Sequence, residues 1–224
     1  MNLLDNIEYV LPSEIEKRSF EIIQKELSDM GIVLPEEEDR ITRRVIHTTA
    51  DFEYAHTLKY SNNAVRIVKQ LIKNHATIVT DTNMGLAGIN KKALRELGID
   101  AKCFMADEKI AELAKKNKVT RATMSMRFAA SLEGPVIFAI GNAPTALIEL
   151  YKLMKEGYKP SFIIGVPVGF VNVEASKELI LNSEVPFIVN KGRKGGSNVA
   201  AAICNAILYQ VREEILNEKN AEIK

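Results

Sequence analysis

His47 follows Arg44 by three residues and Arg43 by four, so on a helix His47 and Arg44 share a side with Arg40 one turn earlier. An imidazole gives and takes protons near neutral pH, which makes this the first candidate for acid/base work. The same spacing also fits a histidine packed for structural reasons, and both readings stand at this point. His56, in the polar segment FEYAHTLKY, and His75, after Asn74 at a helix end, have no evident partner.

The second chemical feature is the run KGRKGGSN, Lys191 to Asn198. Glycines let backbone approach a ligand closely, and Ser197 is placed to cap the helix that follows, whose free N–H groups favour an anion. Lys191, Arg193 and Lys194 add charge. The run lacks the order of a P-loop and of a dinucleotide fingerprint, so it points to an anion without specifying a nucleotide phosphate. An ordinary strand-to-helix turn with solvated lysines is the plainer alternative. In GNAPTA, Asn142 and Thr145 are expected to cap a helix, with Pro144 in its first turn. Asp81, at the end of an apolar run, is either a loop-fixing acceptor or a ligand contact.

Other chemistries lose ground. Cys103 and Cys204 share no metal or disulfide spacing and read as buried free thiols, which points to a cytoplasmic location. No G-x-S-x-G elbow, Cys–His dyad or metal-ligand spacing stands out, and no metal is expected. Lys and Arg number 30 against 29 Asp and Glu, which removes the electrostatic case for nucleic acid or an anionic membrane as main partner. The amino terminus, with Asp5 and Glu8, does not read as a signal sequence, and no apolar run approaches the ~20 residues of a membrane span.

The elements that must position these residues follow from periodicity. Ser13 and Glu16 make a capping box ahead of Ile15, Ile22, Ile23 and Leu27, with Gly31 as the stop. A second helix is expected after Pro35, with an acidic first turn, and a third from about Asn62 to Asn74. From residue 76 five short apolar runs (ATIVT, AKCFM, PVIFAI, SFIIGV and PFIVN) alternate with helical stretches, ending in a helix from Ser197 to about Asn217 and a charged, solvated end. Continuous apolar strands joined by helices imply a doubly wound α/β domain, a mainly parallel five-stranded sheet with helices on both faces and an amino-terminal helical layer. One domain is expected over residues 1–224. In such sheets ligands bind beyond the carboxyl ends of the strands, where the loops above lie.

Taken together, EKRSF (Glu16 to Phe20), RRVIH (Arg43 to His47), VTDTNM (Val79 to Met84), TRATMSM (Thr120 to Met126), GNAPTAL (Gly141 to Leu147), GVPVGFVNVEASK (Gly165 to Lys177) and KGRKGGSNVAAA (Lys191 to Ala202) resemble, in that order, the precorrin-8 methylmutases of cobalamin biosynthesis. The resemblance spans nearly the whole chain. It implies a flavodoxin-like fold, a homodimer, no cofactor, and isomerisation of a ring-contracted tetrapyrrole by moving a methyl group from ring carbon 11 to ring carbon 12. The family's catalytic histidine, in an R-x-x-H motif, corresponds to His47 with Arg44, and the substrate-binding serine of its R-S-F motif to Ser19.

A polycarboxylate with a broad apolar ring needs dispersed donors around an apolar slot. Arg44, Arg121, Arg193 and the amides of Gly195, Gly196 and Ser197 are the candidate carboxylate partners, with Asp81, Asn142 and Thr145 nearby. TDTNM in place of a CDAEM-like segment, and GRKGGS in place of GRLGGS, lean toward the anaerobic branch, whose substrate already holds cobalt. The rival readings are a non-catalytic tetrapyrrole carrier or sensor on the same fold, which would not require His47, and a nucleotide enzyme, which should show a phosphate motif.

Overall fold

The computed structural model describes residues 7–222, so the reading of the extreme amino terminus, Asp5 included, lies partly outside the described residues. The helical layer comes first: α1 (Ile15–Asp29), α2 (Glu36–Thr49), a single turn α3 (Tyr54–Thr57) and α4 (Ala64–Lys73). The capping box does not form, because α1 begins behind Glu14 with no side-chain cap. Its entry is instead a turn in which the Glu14 N–H donates to the Leu11 carbonyl at 2.8 Å. α2 starts directly after Pro35 with Glu36, Glu37, Glu38 and Asp39 in its first turn, where acidic side chains complement the helix dipole.

The sheet has six strands rather than five. The expected runs form β2 (Thr77–Thr80), β3 (Ala101–Cys103), β4 (Val136–Ile140), β5 (Phe162–Gly165) and β6 (Phe187–Asn190), all parallel, and β1 (Leu58–Tyr60) joins β6 antiparallel to give the order β1-β6-β5-β4-β2-β3. β1 escaped the sequence reading because it is three residues long and puts exposed Lys59 on an edge, where a charge discourages further pairing. The helices α5 (Asn83–Gly88), α6 (Lys91–Leu97), α7 (Glu108–Lys116), α8 (Arg121–Ala129), α9 (Pro144–Lys155), α10 (Val173–Leu181) and α11 (Ser197–Glu222) complete the chain. α5 lies in a stretch expected as loop, and it forms because the Thr82 hydroxyl accepts from the Gly85 N–H. Among the described residues no helix is long and apolar enough to cross a membrane.

The inner parallel strands β2, β4 and β5, and β6 with them, feed two cores. Ile78, Ile137, Ala139, Phe162, Ile164 and Ile188 face the layer holding α2, α4 and α11. Val79, Val136, Phe138, Ile140, Ile163 and Val189 face α8 and α9. This double burial is why the strands read as unbroken apolar runs. The charged end of α11 is not merely solvated: Glu213, Glu214 and Glu218 pair with Arg40, Lys69 and Lys73, and Arg212 pairs with Glu96.

The winding reverses between β2 and β4, where open α/β sheets usually leave a crevice. Here it is closed. The Asp81 carboxylate, 1% exposed, accepts from the N–H groups of Gly141, Asn142 and Ala143 at 2.8, 2.8 and 2.6 Å. It braces the loop ahead of α9, whose N-cap position is Ala143 with no side-chain cap, so neither Asn142 nor Thr145 caps that helix. Of its two readings, Asp81 takes that of the loop-fixing acceptor. Burial pushes its carboxyl above the usual carboxylate range, and the three N–H bonds oppose that shift.

Asp81→Ala strands three donors at the start of α9 and is expected to cost about 2–4 kcal/mol, with Asp81→Asn losing less because its carbonyl still accepts. Urea unfolding checks this, and an unchanged midpoint for the alanine variant would show that the brace carries no weight.

Candidate active site

α1, α2 and α11 meet around His47. On α1, Glu16, Ser19, Phe20, Ile23 and Leu27 fall at helical spacing, so the face that buries Ile23 and Leu27 also turns Ser19 and Phe20 toward α2. On α2, Ile41, Val45 and Ile46 are buried, which leaves Arg40, Arg44 and His47 along the rim. α11 packs antiparallel to α2, since Arg40 reaches Glu213 while Asp51, just beyond α2, pairs with Lys194 immediately before α11. His47 therefore sits at the end of α2 that adjoins the carboxyl edge of the sheet.

The imidazole is held on two sides. Its Nδ1 lies 2.8 Å from Ser19 Oγ, and its ring stacks on Phe20 with centroids 5.2 Å apart and planes 24° apart. With Nδ1 engaged by the hydroxyl, Nε2 is the nitrogen left to meet a substrate. Arg44 lies over Phe20 at 4.8 Å and over Tyr209 at 5.3 Å, and its guanidinium is ion-paired with Glu16. Phe20, Arg44 and Tyr209 line a cavity of about 440 Å³ together with Glu16, Lys17, Arg40, Arg43 and Ala206. Aromatic rings, a small residue and several cations suit a ligand with a flat apolar body and carboxylates at its edge.

The loop before α11 is the second half of the site. Gly195 has φ 159° and is as close as a residue can come to β5's continuation: a Cβ there would meet the Val166 carbonyl oxygen at 2.1 Å. The Gly196 N–H is spent on that same carbonyl at 2.9 Å, so this amide is not free for a ligand as the sequence reading expected. Ser197 is the first residue of α11 rather than its cap, and its hydroxyl bonds the Thr82 hydroxyl at 2.7 Å. The loop cations are matched locally: Arg193 bonds Glu174 and lies over Phe170, and Lys194 bonds Asp51 and Glu53. Lys194 is held above its ordinary value by that pair, and Asp51 below its own.

Beneath the loop lies Lys177, which the site reading passed over. It is 1% exposed, and its ammonium donates to the carbonyls of Gly192 and Lys194 at 2.7 and 2.8 Å, while burial brings it down to about 8. Its signal was in the sequence, a lysine on the helix stripe that also carries Val173 and Ile180. Phe20 stood beside Ser19 in EKRSF; Tyr209, on the distant α11, offered no local signal.

Thus His47, Ser19 and Arg44 converge, and Arg193 to Ser197 lie one ion pair away through Lys194. Arg121, Asn142 and Thr145 form a separate group: the Thr120 hydroxyl bonds that of Thr145 at 3.1 Å, and Arg121 and Asn142 are exposed. Among the described residues no hydrogen bond or ion pair joins their side chains to His47, Ser19 or Arg44.

Residues 14–210 match a family model described as precorrin-8X methylmutase. A cobalt-precorrin-8 methylmutase of Priestia megaterium is 43% identical over 95% of this chain and 94% of its own length, and that of Salmonella typhimurium is 40% identical over 90% and 97%. A precorrin-8X methylmutase of a Sinorhizobium species is 34% identical over 86% and 92%. In three dimensions the crystal structure of a precorrin-8x methyl mutase from Thermus thermophilus superposes with a TM-score of 0.81 at 34% identity, covering 90% of this chain and 98% of that one. With sequence likeness running end to end through the helical layer, the sheet and the glycine loop, and the fold shared over the same span, the chain belongs to the precorrin-8X methylmutase family.

Proposed function

We propose that this protein is an isomerase of cobalamin biosynthesis that moves a methyl group from ring carbon 11 to ring carbon 12 of cobalt-precorrin-8, giving cobyrinic acid. The observation that carries the reading is the His47 imidazole, fixed by Ser19 and stacked on Phe20, the residue that with Arg44 also lines the neighbouring cavity. The bond from the methyl group to carbon 11 breaks as that to carbon 12 forms, so the shift is internal to the substrate and needs no methyl donor or cofactor. His47 Nε2 lends a proton or hydrogen bond to the pyrrole ring nearest the migration and recovers it afterwards. The helices and the loop hold the ring and its carboxylates in one conformation. The lean toward the cobalt-containing substrate is supported by the relatives: those named for cobalt-precorrin-8 stand at 43% and 40% identity, against 34% for the one named for precorrin-8X.

The carboxylate partners we assign are Arg44, Arg193 and the backbone around Gly195 and Ser197, with Arg121, Asn142 and Thr145 reaching more distant substituents. The five parallel strands, taken alone, follow the order 2-1-3-4-5 of a flavodoxin-like winding, which supports that description of the single methylmutase domain. A homodimer is supported by the apolar residues left exposed on the amino-terminal layer, among them Tyr9 at 85%, Leu11 at 66% and Val33 at 92%. A cytoplasmic location accords with the free thiols of Cys103 and Cys204.

Replacing His47 by Ala is expected to lower kcat by roughly 10²–10⁴-fold with tetrapyrrole binding nearly intact, and Ser19→Ala by about tenfold through loss of ring orientation. Spectral assay with cobalt-precorrin-8 checks both; full turnover by a folded His47→Ala protein would remove His47 as the acid/base, and binding without turnover by the wild type would leave a carrier as the better reading. Sedimentation equilibrium is expected to give about 50 kDa, two chains of 25.0 kDa. A monomer that turns over at nanomolar concentration would remove the proposed dimer from the mechanism.

A further inference from the structure

The side-chain cations of the glycine loop are already engaged. Arg193 holds Glu174 at 3.0 Å, and Lys194 holds Asp51 and Glu53 at 2.6 and 2.7 Å. Beyond the donors that Arg193 keeps, what the loop offers an anion is backbone, and backbone N–H groups serve only if something turns them outward. Lys177 is in the position to do so. Its ammonium, 1% exposed on α10, takes the carbonyls of Gly192 and Lys194 at 2.7 and 2.8 Å and so draws two peptide oxygens down from the loop.

In a trans peptide the N–H points opposite to the C=O of the same unit. The two units whose oxygens face Lys177 are Gly192–Arg193 and Lys194–Gly195, so the N–H groups of Arg193 and Gly195 face the other way. Two neighbouring N–H groups turned to one side make an anion-binding concavity. Asn190, fully buried, holds the loop from a second direction: its amide donates to the Lys191 and Lys194 carbonyls at 3.1 and 2.9 Å, while its own oxygen accepts from Thr57 at 2.7 Å. The Lys194 carbonyl therefore receives two donors, one of them charged. Glycine at 192 and 195, with φ of 76° and 159°, gives the chain the freedom to place both oxygens inward.

We infer that Lys177 is a positioning residue for substrate binding: by drawing the Gly192 and Lys194 carbonyls inward it presents the Arg193 and Gly195 N–H groups, with its own buried positive charge behind them, to a carboxylate of the tetrapyrrole. This deepens the function proposed above and rests on the reading that the glycine loop takes a substrate carboxylate. It also separates binding from chemistry. Lys177 touches neither His47 nor Ser19, and its loss should act on affinity alone.

The test compares wild type with Lys177→Met, which keeps the length of the side chain and removes its donors. With cobalt-precorrin-8, KM is expected to rise about tenfold or more while kcat stays within about twofold, because a charge-assisted interaction with the ground state and transition state alike is lost. Backbone ¹⁵N–¹H spectra with cobyrinic acid supply the second readout: the Arg193 and Gly195 amides should shift in wild type and barely respond in Lys177→Met. A Lys177→Met protein with wild-type KM and wild-type amide shifts would overturn the role of Lys177 while leaving the loop as the carboxylate site. Wild-type amides that stay unmoved while His47 ring signals shift would overturn the loop reading, and the role of Lys177 with it. If Lys177→Met does not fold, Lys177→Leu, which likewise removes the donors, is measured in its place; a raised KM at constant kcat supports the inference, and an unchanged KM overturns it.

Discussion

At Gly141 the chain passes so near the start of α11 that a single added carbon would meet Ser197 Cα at 2.6 Å and the Gly196 carbonyl oxygen at 2.8 Å. Everything in the site follows from that approach. α11 enters the fold wedged against the end of β4, with Asp81 fixing the β4 loop from one side and the Thr82–Ser197 hydroxyl pair joining it to the β2 loop. The direction of α11 is thereby set, and α2, α4, α5 and α6 find their places by packing on it. Because α2 lies along α11, the height of His47 above the sheet edge is determined by where α11 begins. At the reversal of strand order the start of α11 packs against the end of β4, and the His47 cluster lies apart from it, along the seam between α11 and the helical layer.

Electrostatics in this protein is local rather than global. A formal charge of +1 conceals a surface where nearly every cation near the site has a partner: Arg44 with Glu16, Arg43 with Asp39, Arg40 with Glu213 and Arg193 with Glu174. Exposed pairs of this kind contribute little to stability, about 0–1 kcal/mol each. Their value lies in orientation, since a guanidinium held by one carboxylate presents its remaining N–H groups in a defined direction. Arg44, gripped between Phe20 and Tyr209, is the clearest case, and Lys177 is a buried cation held by two backbone carbonyls.

The five parallel strands and most of their helices were legible because both faces of the sheet are buried, and double burial writes itself into the sequence as runs such as VIFAI and FIIG. β1 was not, for three residues with an exposed lysine in the middle carry too little pattern to register. Caps were read wrongly for a common reason. Ser13, Asn142, Thr145 and Ser197 are all good capping types in good positions, but the loop at Asn142 is held by Asp81 from the end of the neighbouring strand, and Ser197 is drawn to Thr82. Local chemistry proposes such bonds, and tertiary neighbours outcompete them. In the site, His47, Ser19 and Arg44 were visible through short motifs, whereas Phe20 and Tyr209 matter only because three helices meet, a fact no local window contains.

The two sides of the catalytic seam are made at opposite ends of synthesis. Ser19 and His47 are separated by 28 residues and can pair as soon as α1 and α2 have left the ribosome, yet Arg40 and Glu213 are 173 residues apart, and the surface on which α2 rests is α11. Until that last helix emerges, Ile41, Val45 and Ile46 have no lasting cover, so the nascent chain must carry an apolar helical hairpin for most of its translation. α2 and α11 thus complete one another's apolar faces, and removing α11 would take away the surface on which α2 and His47 rest.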